Sequence, residues 1–165
     1  LMSLAGSNIL ASVAVVGLPV VGSWIAPKLS LSLRYFFFTL TLCGIPFVIG
    51  QYSQEDEWGP IWVQYHLLDL SYVPWGTAVV MCLLLIGARV LGKDVRRRTL
   101  LGGSFLATVA FGYLSEFWDT MWTWYDGEPL AKAVDGGDYI TITAGVVVTA
   151  VFYVWFQRTA SKEAS

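Results

Sequence analysis

Charge-poor runs of about twenty residues recur along the chain, at about 8–26, 33–51, 72–91, 100–120 and 139–157, separated by short polar connections. A helix of that length spans a hydrocarbon core of about 30 Å, so the pattern predicts about five transmembrane helices. The stretch before the third run, residues 60–71, opens the sequence "WVQYHLLDLSYVPW" (residues 62–75), which includes Pro74. A proline there predicts either a separate interfacial helix or the kinked top of the third span. No long linker, tandem repeat or low-complexity tract interrupts residues 1–165. The fold class expected is therefore all-α: a single polytopic membrane bundle with no second soluble domain.

Composition supports this reading: of the 165 residues 56% are hydrophobic and 13% charged, with eight tryptophans. Soluble domains carry about a quarter charged residues. A net charge of −2 without a basic aromatic stripe, glycine-rich phosphate loop or nucleophile elbow gives no footing for nucleic acid, nucleotide or acyl-transfer chemistry. Cys43 and Cys82 fall inside apolar runs without CxxC spacing, where a thiol behaves as a small hydrophobe. The first run has no Lys or Arg before it and "VVGSWIAPK" is a poor cleavage site, so it is expected to be a retained helix rather than a signal peptide.

The charges between runs segregate. Lys28 and Arg34 follow the first run, Arg89, Lys93, Arg96, Arg97 and Arg98 the third, and Arg158 and Lys162 the fifth. The other two connections, "QYSQEDEWGP" and "YDGEPLAKAVDGGD", are acidic. By the positive-inside rule the basic segments are cytoplasmic, which places the N-terminus outside and the C-terminus inside a multi-pass protein of the cell membrane.

In that topology a set of polar residues gathers at the outer boundary. Glu116 and Asp119 share a face of the fourth span, His66 and Asp69 share a face before the third, and Asp138 opens the fifth. Ser104, Thr108 and Gly112 on the fourth span, and Thr141, Gly145 and Thr149 on the fifth, form small-residue stripes suited to close helix packing. Trp62, Trp118, Trp122 and Trp124 are expected at headgroup depth as interfacial anchors, and the Arg96–Arg98 run as a topology determinant. Interfacial acids are also simply hydrated or cap helices, Asp138 as an N-cap among them. Glu116, deepest on its helix, is instead expected to be neutral, paired or ligating, and a pairing with His66 across helices follows from their common depth. HxxD facing ExxD supplies one imidazole and three carboxylates, a donor set for a divalent metal such as iron, manganese or zinc rather than copper. A titratable imidazole among carboxylates also suits proton handling, although no acid continues toward the cytoplasmic side in the third or fourth span.

Two resemblances attach to these residues. "FLATVAFGYLSEFWDTMW" with "GVVV" in the last span resembles the C subunit of the copper membrane monooxygenases, the particulate methane and ammonia monooxygenases, over about residues 60–157. That family carries an Asn-Glu-x-x-His helix. Here Ser115 stands in the Asn position, Glu116 matches the Glu, Asp119 replaces the His, and the following loop lacks a further His. The resemblance implies a subunit that keeps the scaffold without the copper site. "YHLLDLSYVP", "SEFWD" and "DYITITAG" are in turn similar to the VanZ-like and YjdF-like small membrane proteins, in which His66, Glu116, Asp119, Asp138 and Gly145 match the pattern. This second resemblance implies a compact extracytoplasmic site for a lipid-like or glycopeptide-related ligand.

The expected function is a non-catalytic membrane subunit among other transmembrane subunits and lipids, with no nucleic-acid partner. The alternative is a free-standing protein that binds or acts on a metal or lipid-like ligand at its outer face. The topology on which both depend is open to labelling. A cysteine introduced at Gln54 or Gly136 should react with an impermeant maleimide from outside, and one at Lys93 only after permeabilisation; the reverse pattern would move the polar cluster to the cytoplasmic side.

Overall fold

The computed structural model describes residues 13, 15, 17–22, 24, 29–55, 58–125 and 136–163, and among these every regular element is helical. The helices are α1 (Leu31–Leu42), α2 (Gly44–Glu55), α3 (Ile61–Val90), α4 (Ser104–Tyr125) and α5 (Gly136–Glu163), with a π-helical turn at Thr99–Gly103 leading into α4. Among the described residues four stretches are long and apolar enough to cross a membrane: Leu31–Ser53, Ile61–Val90, Thr99–Phe117 and Gly137–Arg158. They match the second to fifth expected spans. Most of the first expected span lies outside the described residues, although the described positions between 13 and 24 are helical. Leu18 and Val21 among them pack on the core.

α1 and α2 are one span with a break at Cys43. Pro46 has no N–H to give the carbonyl four residues back, so the ladder is interrupted there. Gly44 at the break lets the Trp75 indole lie against the backbone, since a Cβ would meet Trp75 Nε1 at 2.6 Å, and Phe47 stacks on the same ring at 4.4 Å.

The segment 60–71 is neither separate nor merely interfacial: it is the beginning of one 30-residue helix, α3, with Pro74 inside it. At a rise of 1.5 Å per residue such a helix is about 45 Å long, well beyond a hydrocarbon core of about 30 Å. At its first turn Ile61 and Trp62 are exposed. Its other end is closed by a Schellman turn: Lys93 N–H donates to Ala88 O, Gly92 N–H to Arg89 O, and Gly92 takes φ 62°.

α3 is the hub, touching each of the other four helices and the π-helical turn. The core gathers toward its C-terminal half, where Ala78, Met81 and Cys82 meet Leu33, Phe36, Phe37 and Leu40 of α1 and Leu100 of the π-helical turn. Toward its N-terminal half the contacts are made by small residues and backbone. Gly50 of α2 abuts Leu68, where a Cβ would come within 2.6 Å of the Leu68 nitrogen. On α4, Gly112 faces the Tyr72 ring, and the Thr108 methyl lies over Gly76.

An equally close backbone approach is made by α5. Pro74 lacks the N–H that would bond the carbonyl of Leu70, and a Cβ at Gly145 would sit 2.6 Å from that same oxygen. The glycine hydrogen occupying the Cβ direction points at Leu70 O, a weak C–H···O contact that covers an otherwise unpaired acceptor. The expected stripes are thus turned inward: Ser104, Thr108, Gly112, Gly145 and Thr149 are buried and Thr141 half-buried. Their hydroxyls are satisfied within their own helices, Ser104 by Leu100 O, Thr108 by Ser104 O at 2.8 Å and Thr149 by Gly145 O at 2.8 Å.

Gly145→Leu should therefore be the most damaging of the glycine substitutions in the spans, costing about 1–3 kcal/mol or preventing assembly. Gly87→Leu, whose Cβ meets nothing within 4 Å, should be tolerated. Thermal denaturation in detergent compares them, and equal midpoints would refute the Leu70–Gly145 contact as a determinant of packing.

Candidate functional site

α3 and α5 run in the same direction, so their N-terminal turns lie at one end of the bundle. His66 and Asp69, three residues apart on α3, project toward Asp138 in the first turn of α5. One donor atom from each of the three lies within 4.8 Å of the others. His66 Nδ1 stands 4.0 Å from Asp138 Oδ1, with the two side chains 26% and 29% exposed. That separation is too long for a hydrogen bond, and Nδ1 itself is buried with no hydrogen-bond partner.

Asp69 is the most crowded member. Asp138 and Thr141 are within hydrogen-bonding reach of its carboxyl group, and the charge of Glu116 on α4 also acts on it. Thr141 Oγ1 lies 3.0 Å from both Gly137 O and Asp138 O, which fixes the threonine over the start of α5. Beside it, Tyr113 of α4 and Thr143 of α5 hydrogen-bond through their hydroxyls at 2.7 Å, and the Tyr113 and Tyr139 rings stack at 6.2 Å. These contacts hold α4 beside the cluster. Three carboxylates drawn to one place are stable only with protons or a cation among them, because like charges repel strongly where water is scarce.

The structure therefore brings together His66, Asp69 and Asp138, with Glu116 at the electrostatic margin. The carboxylate 4.0 Å from His66 Nδ1 is that of Asp138; the pairing expected from depth was with Glu116, whose charge acts on Asp69. Asp138 lies within the first helical turn rather than at the cap, where its negative charge still favours the α5 dipole. The side chains of Asp119, Trp118, Trp122 and Trp124 lie outside the described residues. Trp62 is exposed near the start of α3, a position compatible with an anchor. Sequence reasoning took Thr141 only as a packing residue. Its spacing of three from Asp138 was the available sign that it shares the face of the cluster.

Metal bonds of about 2.0–2.2 Å to nitrogen and oxygen hold neighbouring donors about 3–3.5 Å apart, so side-chain movements of about an ångström would close this trio around an ion. One imidazole and two carboxylates from two helices, with a third carboxylate nearby, form a donor set for a hard or borderline divalent cation. The unpartnered Nδ1 and the excess of negative charge both fit such an ion. Comparison of the chain with protein-family models, with curated proteins and with solved structures finds no match, so the chemistry of these side chains is what bears on function.

Proposed function

We propose that the chain is a multi-pass protein of the cell membrane that holds a divalent metal ion at the extracytoplasmic end of its bundle through His66, Asp69 and Asp138. The observation that carries the reading is the convergence of three donor atoms from α3 and α5 within 4.8 Å. His66 would contribute Nδ1, a buried nitrogen with no competing hydrogen bond. The two aspartates would contribute oxygen and neutralising charge, and Glu116 or water would complete the shell. A single imidazole among oxygens suits zinc, manganese or iron and disfavours copper. The ion would clamp α3 to α5 and relieve the crowding of carboxylates, a structural or binding role that requires no catalysis by this chain.

A second reading, an accessory subunit of a larger membrane assembly, is favoured by the faces of α4 and α5. The spans Thr99–Phe117 and Gly137–Arg158 are the least buried of the four. They expose Leu106, Phe111 and Leu114 on one helix and Val147, Val151 and Trp155 on the other. Such faces suit lipid or partner helices. On this reading the cluster would support the scaffold of a monooxygenase-like complex without its copper set. Purification in mild detergent separates the two, since co-purifying membrane subunits support the accessory role.

Elemental analysis of protein purified without chelator should find about one equivalent of a divalent metal, lost in His66→Ala and Asp138→Ala and retained in Asp94→Ala at the opposite end. Zinc or manganese at a hundred times its dissociation constant should stabilise the apoprotein by about 2.7 kcal/mol, and should leave the two site variants unmoved. In the double variant His66→Ala/Asp138→Ala the loss of stability should fall short of the sum of the single losses by about 0.5–3 kcal/mol. Strictly additive losses with unchanged metal content would mean that the residues are independent interfacial groups, and the metal reading would fail.

A further inference from the structure

At the opposite end of the bundle a cleft of about 550 Å³ opens between α1, the π-helical turn and α5. Its walls are Phe36, Leu101, Phe105 and Tyr153, and Arg97 and Arg98 stand at its mouth. The volume lies within the range of about 300–1,000 Å³ common to small-ligand sites. Thr77 and Thr149 also line it, yet each hydroxyl already donates to a carbonyl of its own helix, to Val73 O at 2.7 Å and to Gly145 O at 2.8 Å. The interior is accordingly apolar in its demands, while the mouth is cationic.

Depth and charge select the occupant. Arg97 and Arg98 immediately precede the span Thr99–Phe117, and Gln157, also lining the cleft, sits at the end of the span Gly137–Arg158. The mouth is therefore at headgroup level. From Gln157 to Thr149 is about 12 Å along α5, so the cleft descends from that level into the acyl layer. Residues 89–98 carry five basic side chains against one acid, Asp94. Among the described residues no carboxylate pairs with Arg97 or Arg98. A ligand that leaves nothing unmatched has an anionic head, a planar-fork partner for guanidinium, and a long apolar body.

We infer that this cleft binds one anionic phospholipid, its phosphate held by Arg97 and Arg98 and one acyl chain laid between α1, the π-helical turn and α5. Gly102 lines the cleft, and a Cβ there would meet nothing within 4 Å, so a large side chain at this position would extend into the open space beside the π-helical turn. The site is built independently of the His66 cluster and lies at the other end of the same helices.

The test uses the full chain, delipidated in mild detergent and titrated with dioleoyl-phosphatidylglycerol or dioleoyl-phosphatidylcholine, with retention read by native mass spectrometry. One equivalent of the anionic lipid should be retained at least tenfold more tightly than the zwitterionic one. Arg97→Gln and Arg98→Gln should each weaken it about fivefold, the loss expected for one cation at a lipid headgroup. Arg96→Gln, which does not line the cleft, should have little effect. Gly102→Phe should abolish saturable retention while leaving the thermal midpoint unchanged, because its ring enters vacant space. Equal retention of the two lipids, or of the anionic lipid by the Gly102→Phe and arginine variants, would overturn the assignment. Displacement by glycerol phosphate at the same concentration would also overturn it, by showing a phosphate site with no use for the acyl chain.

Discussion

The carbonyl oxygen of Leu70 is the group around which the bundle is arranged. Pro74 deprives it of its helical donor at a level where water is scarce, and an uncovered backbone acceptor in such a place costs several kcal/mol. Gly145 covers it because it alone on that face of α5 has no side chain to hold the backbones apart. The contact fixes the register of α5 on α3. Asp138, two turns earlier on α5, then reaches the level of His66 and Asp69, and Thr149, one turn later, lies with Thr77 in the floor of the opposite cleft. Both ends of the molecule depend on one backbone approach near the middle.

Packing is divided along α3 in the same way. Its C-terminal half is held by large apolar side chains, with Phe37, Leu40 and Met81 fully buried. Its N-terminal half combines close backbone approaches at Gly50 and Gly145 with ring contacts of Tyr72 and Trp75 to Phe47 and Phe111. Between helices in a bilayer there is no hydrophobic gain from burying leucine rather than leaving it in lipid, so close approach is the stronger source of cohesion. The buried hydroxyls bond back to their own helices, which lets Ser104, Thr108 and Thr149 act as small apolar surfaces. The polar cluster sits at the end of α3 away from the large apolar core.

Much of this was legible in the residues. Apolar run length gave the helices, because the bilayer sets a length that composition must meet. The spacing Gly112 with Ser104 and Thr108, and Gly145 with Thr141 and Thr149, gave the inward faces. The cluster was legible as a common depth for His66, Asp69, Glu116 and Asp138, but its pairing was not. Depth is a one-dimensional property, and which acid meets His66 depends on the azimuth of α5, which Gly145 sets through a contact with backbone. The continuity of α3 through Pro74 was one of the two alternatives the sequence left open, since a proline reads as a break unless a neighbouring helix takes up the carbonyl it frees. The cleft at Arg97 and Arg98 left no trace beyond the basic run itself, because its lining comes from α1, α3, the π-helical turn, α4 and α5, which are distant in sequence.

The chain's charge is nearly balanced, with ten basic and twelve acidic residues, yet balance in sum is not balance in place. The carboxylates of Asp69, Glu116 and Asp138 meet at one end with a single imidazole between them. The guanidiniums of Arg97 and Arg98 stand at the other with no carboxylate paired to them among the described residues. The lengths of α4 and α5 keep the two sets about 28 Å apart, a few Debye lengths at physiological ionic strength, so neither neutralises the other. Each end must then take its counter-charge from outside the chain. On the functions proposed above, the carboxylate end would take a small cation held by nitrogen and oxygen, and the guanidinium end an anion attached to an acyl chain. The segregation of charge along the bundle would thereby serve two sites of opposite sign.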